Sequence, residues 1–218
     1  MNSYVDMGNM GRGIWGGGAA PDTRWQSAPS YVATMDYVTI SSLGNAQNFG
    51  ELTVARGFIS AVAGPVRGIS GGGEGVAPDS ARSDTMEYYT IQSAGAAKEF
   101  GDLNNAFGYG GAAASNATRA LHAGGYVGPA NSNVIDYITM ATTGNASDFG
   151  DLVQAEHGGT GMSSGTRAVF GGMWDGAVTN ELSYVTIMTL GNALDFGDQT
   201  ISAYYRSGGS NTHGGLQG

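Results

Sequence analysis

The chain of 218 residues has no cysteine, a single lysine (Lys98) and few charged residues of either sign. The absence of cysteine excludes disulfide bonds and thiolate metal sites. Nine basic against 18 acidic residues leave a net charge of −9, which argues against a protein that binds the phosphate backbone of nucleic acids. Because 41% of the residues are hydrophobic and only 12% are charged, the composition also argues against intrinsic disorder.

Long hydrophobic runs are absent too. No segment approaches the roughly 18 apolar residues of a membrane-spanning helix, so we expect no membrane insertion. Residues 1–18 are polar and glycine-rich, which predicts no signal peptide; a route out of the cell would then be lysis or carriage on a particle. The 39 glycines follow no Gly-X-Y period, which excludes collagen.

What the chain does have is a unit that recurs four times. Each copy ends in a Phe-Gly-acid segment, and its phenylalanines are Phe49, Phe100, Phe149 and Phe196. Self-similarity at about 50 residues is typical of propellers, solenoids and arrays. The repeats cover about 1–54, 55–104, 105–153 and 154–199 of a single domain over 1–218. Recurring residues are explained by architecture, so function is to be sought where the copies differ.

Each repeat predicts four short strands with glycines after the second. Apolar runs that predict the first strand occur at 56–63, 107–115 and 156–164, and the glycines allow positive φ where the second strand leaves the sheet. No segment keeps a 3.6-residue apolar period, so we expect no helix longer than about two turns. The prediction is an all-β propeller of about four blades, each with four antiparallel strands.

The repeat resembles the kelch family. Its double glycines are Gly16-Gly17, Gly71-Gly72, Gly124-Gly125 and Gly171-Gly172, and its third-strand tyrosines are Tyr37, Tyr88, Tyr137 and Tyr184. Phenylalanine stands where cellular kelch blades carry Trp. The sequence motif Asp-Tyr-(Val/Ile)-Thr, followed by Gly-Asn-Ala and Asp-Phe-Gly-Asp-Leu, is similar to kelch-like repeats of marine bacteriophage structural and tail-fibre proteins.

We infer that the C-terminal segment completes the ring, with one alternative. The stretch 205–212 has the small-residue character of an inner strand, so a strand within 200–218 would complete the first blade and close a four-bladed ring. The alternative is that residues 3–9 form that strand. The C-terminal strand would then begin a fifth blade, which a partner chain or further sequence would finish.

Repeated polar residues are expected to be structural. Two sets of acids recur, Glu51, Asp102, Asp151 and Asp198, and Asp36, Glu87 and Asp136. Partners expected for them are backbone donors or the arginines that open the second strands, Arg12, Arg67, Arg119 and Arg167. The three histidines, His122, His157 and His213, show no metal-ligand spacing and are interpreted as surface or loop residues. We predict no metal and no cofactor.

The candidate binding residues lie in loops that differ between copies. These loops join the second and third strands at 19–34, 74–84, 126–132 and 173–179, and strand alternation puts them on one face beside the links between repeats. Exposed aromatic and charged residues are common recognition anchors. The candidates are Arg24, Trp25, Tyr31, Asp79, Arg82, Tyr126, Trp174 and Asp175.

The function that this pattern favours is a non-enzymatic structural or recognition role. The resemblance implies a phage virion or tail-associated protein whose loop face binds a host surface glycan or another virion protein, with a homo-oligomer left open. One alternative is a propeller enzyme that acts on glycans, for which Asp79 and Asp175 are the nominated acids. The other is a cellular kelch-type interaction adaptor.

Overall fold

The structure, a computed structural model, describes residues 11–19, 31–75, 81–177 and 179–210. This part of the chain forms 17 strands and no helix, which confirms the all-β prediction. Almost all of the strands belong to four antiparallel sheets that follow one another along the chain. The predicted strand from residues 3–9 lies outside the described residues.

The first sheet has three strands and the second has four. The first contains β1 (Arg12–Gly16), β2 (Thr34–Thr39) and β3 (Gln47–Glu51). The following strands are β4 (Arg56–Gly57), β5 (Ser60–Ala63), β6 (Arg67–Gly71), β7 (Glu74–Gly75), β8 (Ser83–Thr90) and β9 (Lys98–Phe107). The order β5-β6-β8-β9 makes the second sheet, and β4 pairs with β7 in a small separate ladder.

The third and fourth sheets repeat this four-stranded order. The third contains β10 (Ala112–Ser115), β11 (Arg119–Ala123), β12 (Ser132–Thr139) and β13 (Ser147–Glu156). The fourth contains β14 (Thr160–Ser163), β15 (Arg167–Gly171), β16 (Glu181–Thr186) and β17 (Leu194–Asp198). Among the described residues, no strand pairs with the free edge of β1, and residues 201–210 contain no strand.

The first strands are shorter than predicted, because the chain turns sharply just before them. Phe58 has φ of 56° and Gly158 has φ of 71°, which are left-handed values that a strand cannot contain. The regular strands therefore begin only at Ser60 and Thr160, and the corresponding strand of the third sheet begins at Ala112. The turn residues become surface links between successive sheets.

Glycine occurs where the second strand leaves each sheet. Gly17, Gly72, Gly124 and Gly172 have φ between 65° and 72°, which confirms the predicted positive φ. A Cβ on Gly17 would lie 2.5 Å from the carbonyl oxygen of Arg56. Only glycine fits this close approach of two backbones.

The core lies between successive sheets. Three buried clusters fill the three junctions and contain Phe49, Phe100 and Phe149 respectively. A tyrosine of the same sheet packs edge-on against each ring, for example Tyr137 against Phe149 with 6.2 Å between centroids. The repeated phenylalanines are therefore the residues that join one sheet to the next.

Candidate functional site

Two kinds of connection meet at one end of the sheets. Because strands alternate in direction, the loop from the second to the third strand and the link to the following sheet leave from the same end of each sheet. A bridge pairs His157, in the link after β13, with Trp174, in the loop after β15. This end of the sheets therefore combines the non-repeated loops with the links.

Eight ring side chains form a continuous row along this end of the sheets, which we call the aromatic row. Neighbouring ring centroids are 4.8–6.5 Å apart, and most pairs meet edge to face, the arrangement that ring quadrupoles favour. In order, the rings are Tyr31, Phe58, Tyr109, Tyr126, His157, Tyr205, Tyr204 and Trp174.

Two ring positions adopt a backbone conformation that favours glycine. Phe58 has φ of 56° and Tyr205 has φ of 54°, and Gly158 holds the equivalent place between the third and fourth sheets. A bulky residue at positive φ is a stereochemical outlier that costs of order 1–3 kcal/mol. Both rings are nevertheless exposed, Phe58 at 40% and Tyr205 at 56%. Folding alone does not explain aromatic side chains at these two places.

A hydrogen-bond chain fixes the middle of the row. Asn131 Nδ2 donates to the carbonyl oxygen of Trp174 at 2.9 Å, which orients its Oδ1 toward His157 Nδ1 at 2.8 Å. His157 Nδ1 then carries the proton, and its Nε2 accepts from the Tyr205 hydroxyl at 3.3 Å. Burial lowers the pKa of His157, which favours this neutral form.

The Tyr31 end of the row is packed, and an exposed arginine covers the Tyr126 ring in the middle. Tyr31 is buried against Gly57, and burial together with Glu74 raises the pKa of its hydroxyl to about 12. Arg82 is exposed and lies over the Tyr126 ring, 5.0 Å from its centroid. A guanidinium above an aromatic face leaves its N–H groups free to bind a polar ligand.

Three acids lie beneath the Trp174 end. Glu156 is almost fully buried, and desolvation, followed by the charges of Glu181 and Asp175, raises its pKa to about 7. Asp175 Oδ1 accepts from the backbone N–H of Ala177 at 2.7 Å, which shapes the loop. The described residues contain no group of three or more His, Cys, Asp or Glu that could hold a metal ion.

The row contains three of the eight candidate residues from the sequence. Tyr31, Tyr126 and Trp174 belong to it, Arg82 stacks on it and Asp175 follows Trp174. Arg24, Trp25 and Asp79 lie outside the described residues. The sequence reasoning missed the ring residues of the links, which are Phe58, Tyr109, His157, Tyr204 and Tyr205. An alignment of the links would have shown that aromatic residues recur there beside the loops.

Of the two kinds of partner expected for the repeated acids, backbone donors are confirmed at Glu87 and Asp136, whereas the expected pairing with the repeated arginines is wrong. Each arginine instead stacks on the tyrosine of its own sheet, and Arg119, for example, lies 4.5 Å from the Tyr137 centroid and donates to the Ile187 carbonyl at 2.9 Å. Register explains this: Arg119 faces Thr139, so its side chain runs along the strand onto Tyr137, two residues away. Glu87 binds Arg56 instead, and Asp136 accepts from Asn104.

The interpretation of the histidines as surface or loop residues is wrong for His122, which lies in β11, whereas His157 lies in a link but is buried. His122 is buried, with its Nδ1 2.8 Å from Ser60 Oγ, and desolvation lowers its pKa to about 4. His157 is buried within the aromatic row. His213 lies outside the described residues.

No protein-family model matches the chain, and no curated protein matches it either. The residues that the structure describes include no helix long and apolar enough to cross a membrane.

Proposed function

We propose that the chain is a non-enzymatic recognition module that binds a host surface glycan through the aromatic row. The observation that carries this proposal is that Phe58 and Tyr205 hold exposed rings at positive φ. Strain kept at a surface site is typical of ligand-binding positions. The resemblance to marine phage repeats supports a place on a virion or tail, where the glycan would belong to the host surface.

The chemistry of the row suits a saccharide. Sugar rings have apolar faces that stack on aromatic side chains and hydroxyls that need polar partners. Tyr109 and Tyr205 combine an exposed ring with a hydroxyl, and Arg82 adds charged donors over Tyr126. With one surface supplying both kinds of contact, a glycan suits this row better than a purely apolar ligand.

Binding without cleavage fits the acids near the row. Hydrolysis of a glycoside needs two carboxyl groups about 5–10 Å apart on either side of the bond. Glu156 has the raised pKa of a general acid but is almost fully buried, and the Asp175 carboxylate is committed to its own loop. Asp79, the other acid nominated from the sequence, lies outside the described residues.

For the fold, the proposal is that the four sheets are successive blades of a kelch-like propeller. Three features support it: the antiparallel order within each sheet, the repeated phenylalanine junctions and the succession of first strands. Serine hydroxyls join neighbouring first strands, from Ser115 to the Ala63 carbonyl at 3.0 Å and from Ser163 to the Ser115 carbonyl at 2.7 Å. Such a succession is the one expected of first strands that surround a common axis, which supports the propeller proposal.

The test is binding of the purified chain to a panel of bacterial surface polysaccharides. Tyr109→Ala and Trp174→Ala should each lower affinity at least tenfold, whereas Tyr109→Phe should retain most of it because the ring remains. Val66→Ala is the matched control, since Val66 is exposed at the opposite edge of the second sheet. Retained binding by both alanine variants would refute the site, and depolymerisation of the polysaccharide would favour the enzyme alternative.

A further inference from the structure

The same interface joins each sheet to the next, at three junctions within the chain. The first and the fourth sheet each carry one half of this interface at their outer side. At the Phe100 junction, Gly144 N donates to the Phe100 carbonyl at 2.7 Å and Ala146 N to the Asp102 carbonyl at 2.8 Å. The other junctions repeat both bonds, with Gly95 on Phe49, Ala97 on Glu51, Gly191 on Phe149 and Ala193 on Asp151. The loop of the following sheet thus covers the phenylalanine of the preceding one.

The fourth sheet ends with the phenylalanine half of this interface uncovered. Phe196 is 48% exposed, whereas Phe149 at the same repeat position is 3% exposed. A Cβ on Gly150 would lie 2.6 Å from the Gly191 carbonyl, but a Cβ on Gly197 would meet nothing within 4 Å. The place that a neighbouring loop fills at every internal junction is open here.

The first sheet begins with the loop half uncovered. Ile40 is 68% exposed, whereas Ile187 at the same repeat position is 0% exposed. Ala46 is exposed, whereas its equivalents Ala97, Ala146 and Ala193 are buried. The loop keeps the residues that make the internal contacts: Asn45 matches Asn145, whose Oδ1 accepts from Asp102 N at 3.1 Å. Among the described residues, no hydrogen bond joins this loop to the Phe196–Asp198 segment.

The polar residues of the two ends also match. At the first junction Thr53 donates to the Glu87 carboxylate, and at the second Asn104 donates to that of Asp136. At the third, Val153 replaces the donor and Ser183 replaces the acid, so both members changed together. The free ends carry a donor and an acid again, Thr200 on the fourth sheet and Asp36 on the first.

The C-terminal segment offers a fourth strand for the first sheet, which has three strands among the described residues. Ser210 Oγ donates to the Ser163 carbonyl at 3.0 Å, which continues the serine contacts between first strands. The segment 207–210 therefore lies where the first strand of a following sheet would lie. A groove of about 330 Å³ borders the unpaired β1 and is lined by Arg12, Gly13, Ile14 and Val62 among others. By the register of the other sheets, Ser207 would face Gly16 and Ser210 would face Gly13.

We propose that these ends dock head to tail between two copies of the chain. The Gly44–Ala46 loop of the second copy covers Phe196 of the first, and segment 207–210 of the first adds a strand to β1 of the second. A head-to-tail interface closes into a ring or grows into a filament. Two copies provide eight sheets, within the roughly 4–8 blades of propellers, and three would exceed that range.

A second copy suits these surfaces better than closure of one chain on itself. In the described structure the same chain leaves both Phe196 and Ala46 exposed, so it does not cover its own ends. The inference uses the blade arrangement proposed above but not the ligand. Glycan binding and self-association can therefore fail separately.

The first test measures mass in solution by light scattering and sedimentation across micromolar concentrations. The native chain should have twice the monomer mass. Ala46→Arg should be monomeric with an unchanged circular dichroism spectrum, because Ala46 is exposed in the single chain whereas its equivalents Ala97, Ala146 and Ala193 are buried at junctions. Ala94→Arg, at an exposed alanine in the equivalent loop of the second sheet, should stay dimeric.

The second test uses the absence of native cysteine. Asp36→Cys and Thr200→Cys chains are mixed and treated with a short bis-maleimide. Covalent dimers in the mixture, but not between Asp36→Cys and Thr166→Cys chains, would support the proposal. If the native chain were monomeric at all concentrations, the proposal would be overturned. The same holds if a chain that carries both Asp36→Cys and Thr200→Cys formed crosslinks only within itself. An open filament would overturn the closed pair.

Discussion

Arg56 and Glu87 form a salt bridge that is almost completely shielded from water, with both side chains at most 1% exposed. Arg56 Nη1 also donates to the carbonyl oxygens of Gly72 and Thr85 at 2.9 and 2.8 Å. Glu87 accepts further bonds from Thr53. The pair therefore ties the second sheet to the end of the first. It exists only at this junction, since Phe107 and Glu156 hold the place of Arg56 in the next repeats.

Replacing Arg56 with Met should lower the free energy of unfolding by about 3–5 kcal/mol, because it leaves a buried carboxylate without its cation. Urea denaturation would measure this loss. The double variant Arg56→Met/Glu87→Leu should lose less than the two single variants combined, since both charges are then gone. Arg82→Met, at an exposed arginine, should cost under about 1 kcal/mol, and an equal loss there would contradict the argument.

The phenylalanine positions should differ in their effect on stability. Phe149→Ala should cost about 3–5 kcal/mol, the usual range for a buried aromatic, and Phe196→Ala about 1 kcal/mol or less because its ring is half exposed. Both are best measured in the Ala46→Arg background, where the proposed pair is absent. A Phe149 loss below about 1 kcal/mol would show that this series does not form the core between sheets.

Strand content and repeat boundaries could be predicted from the sequence because they depend on local patterns. The Tyr-Val-Thr type of strand and the double glycine act on neighbouring residues alone, and each appears four times. The arginine partners could not be predicted in this way. Whether Arg119 meets an acid or the Tyr137 ring depends on strand register and on the adjacent sheet, which the local pattern does not encode.

The candidate site was predictable only in part, for a related reason. Trp174 and Tyr126 lie in loops that differ visibly between copies, so comparing the copies found them. Tyr109 and His157 lie beside Tyr126 in links where the sequence pattern predicts the start of first strands. Phe58 lies in such a link too, at a left-handed turn. Backbone turns set by positive φ at a non-glycine residue have no clear signal in a single sequence.

Glu156→Gln should stabilise the protein in alkaline solution. The unfolded carboxyl has its ordinary pKa of 4.5 and the folded one about 7, so between these values the folded state binds more protons and stability falls as pH rises. Thermal unfolding at pH 8 should show a higher Tm for the variant than for the native chain, with little difference at pH 4. Glu99→Gln, at an exposed site, controls for the change in net charge. An equal gain at both pH values would rule out titration of Glu156 as the cause.

His122 should make the folded protein less stable as the pH falls, whereas Glu156 makes it less stable as the pH rises. The folded pKa of His122 is about 4 against 6.5 when unfolded, so between these values the unfolded state takes up the proton and stability falls as pH drops. His122→Gln should lower the Tm at pH 7, because the contact with Ser60 is altered, but should flatten the decline between pH 6.5 and 4. Parallel declines in the native chain and the variant would show that other groups cause the acid sensitivity.

Phe58 should reverse the usual order of alanine and glycine in stability. Its φ of 56° favours glycine, so Phe58→Gly removes backbone strain together with the ring contacts, whereas Phe58→Ala removes the contacts and keeps the strain. Phe58→Gly should therefore be more stable than Phe58→Ala by about 1 kcal/mol in urea denaturation. Gly158 holds the equivalent place between the third and fourth sheets, which shows that glycine is accepted there. Both variants should lose glycan affinity to the same extent, since both lack the ring between Tyr31 and Tyr109. If alanine proved the more stable, Phe58 would not be strained, and the main support for a functional row would be lost.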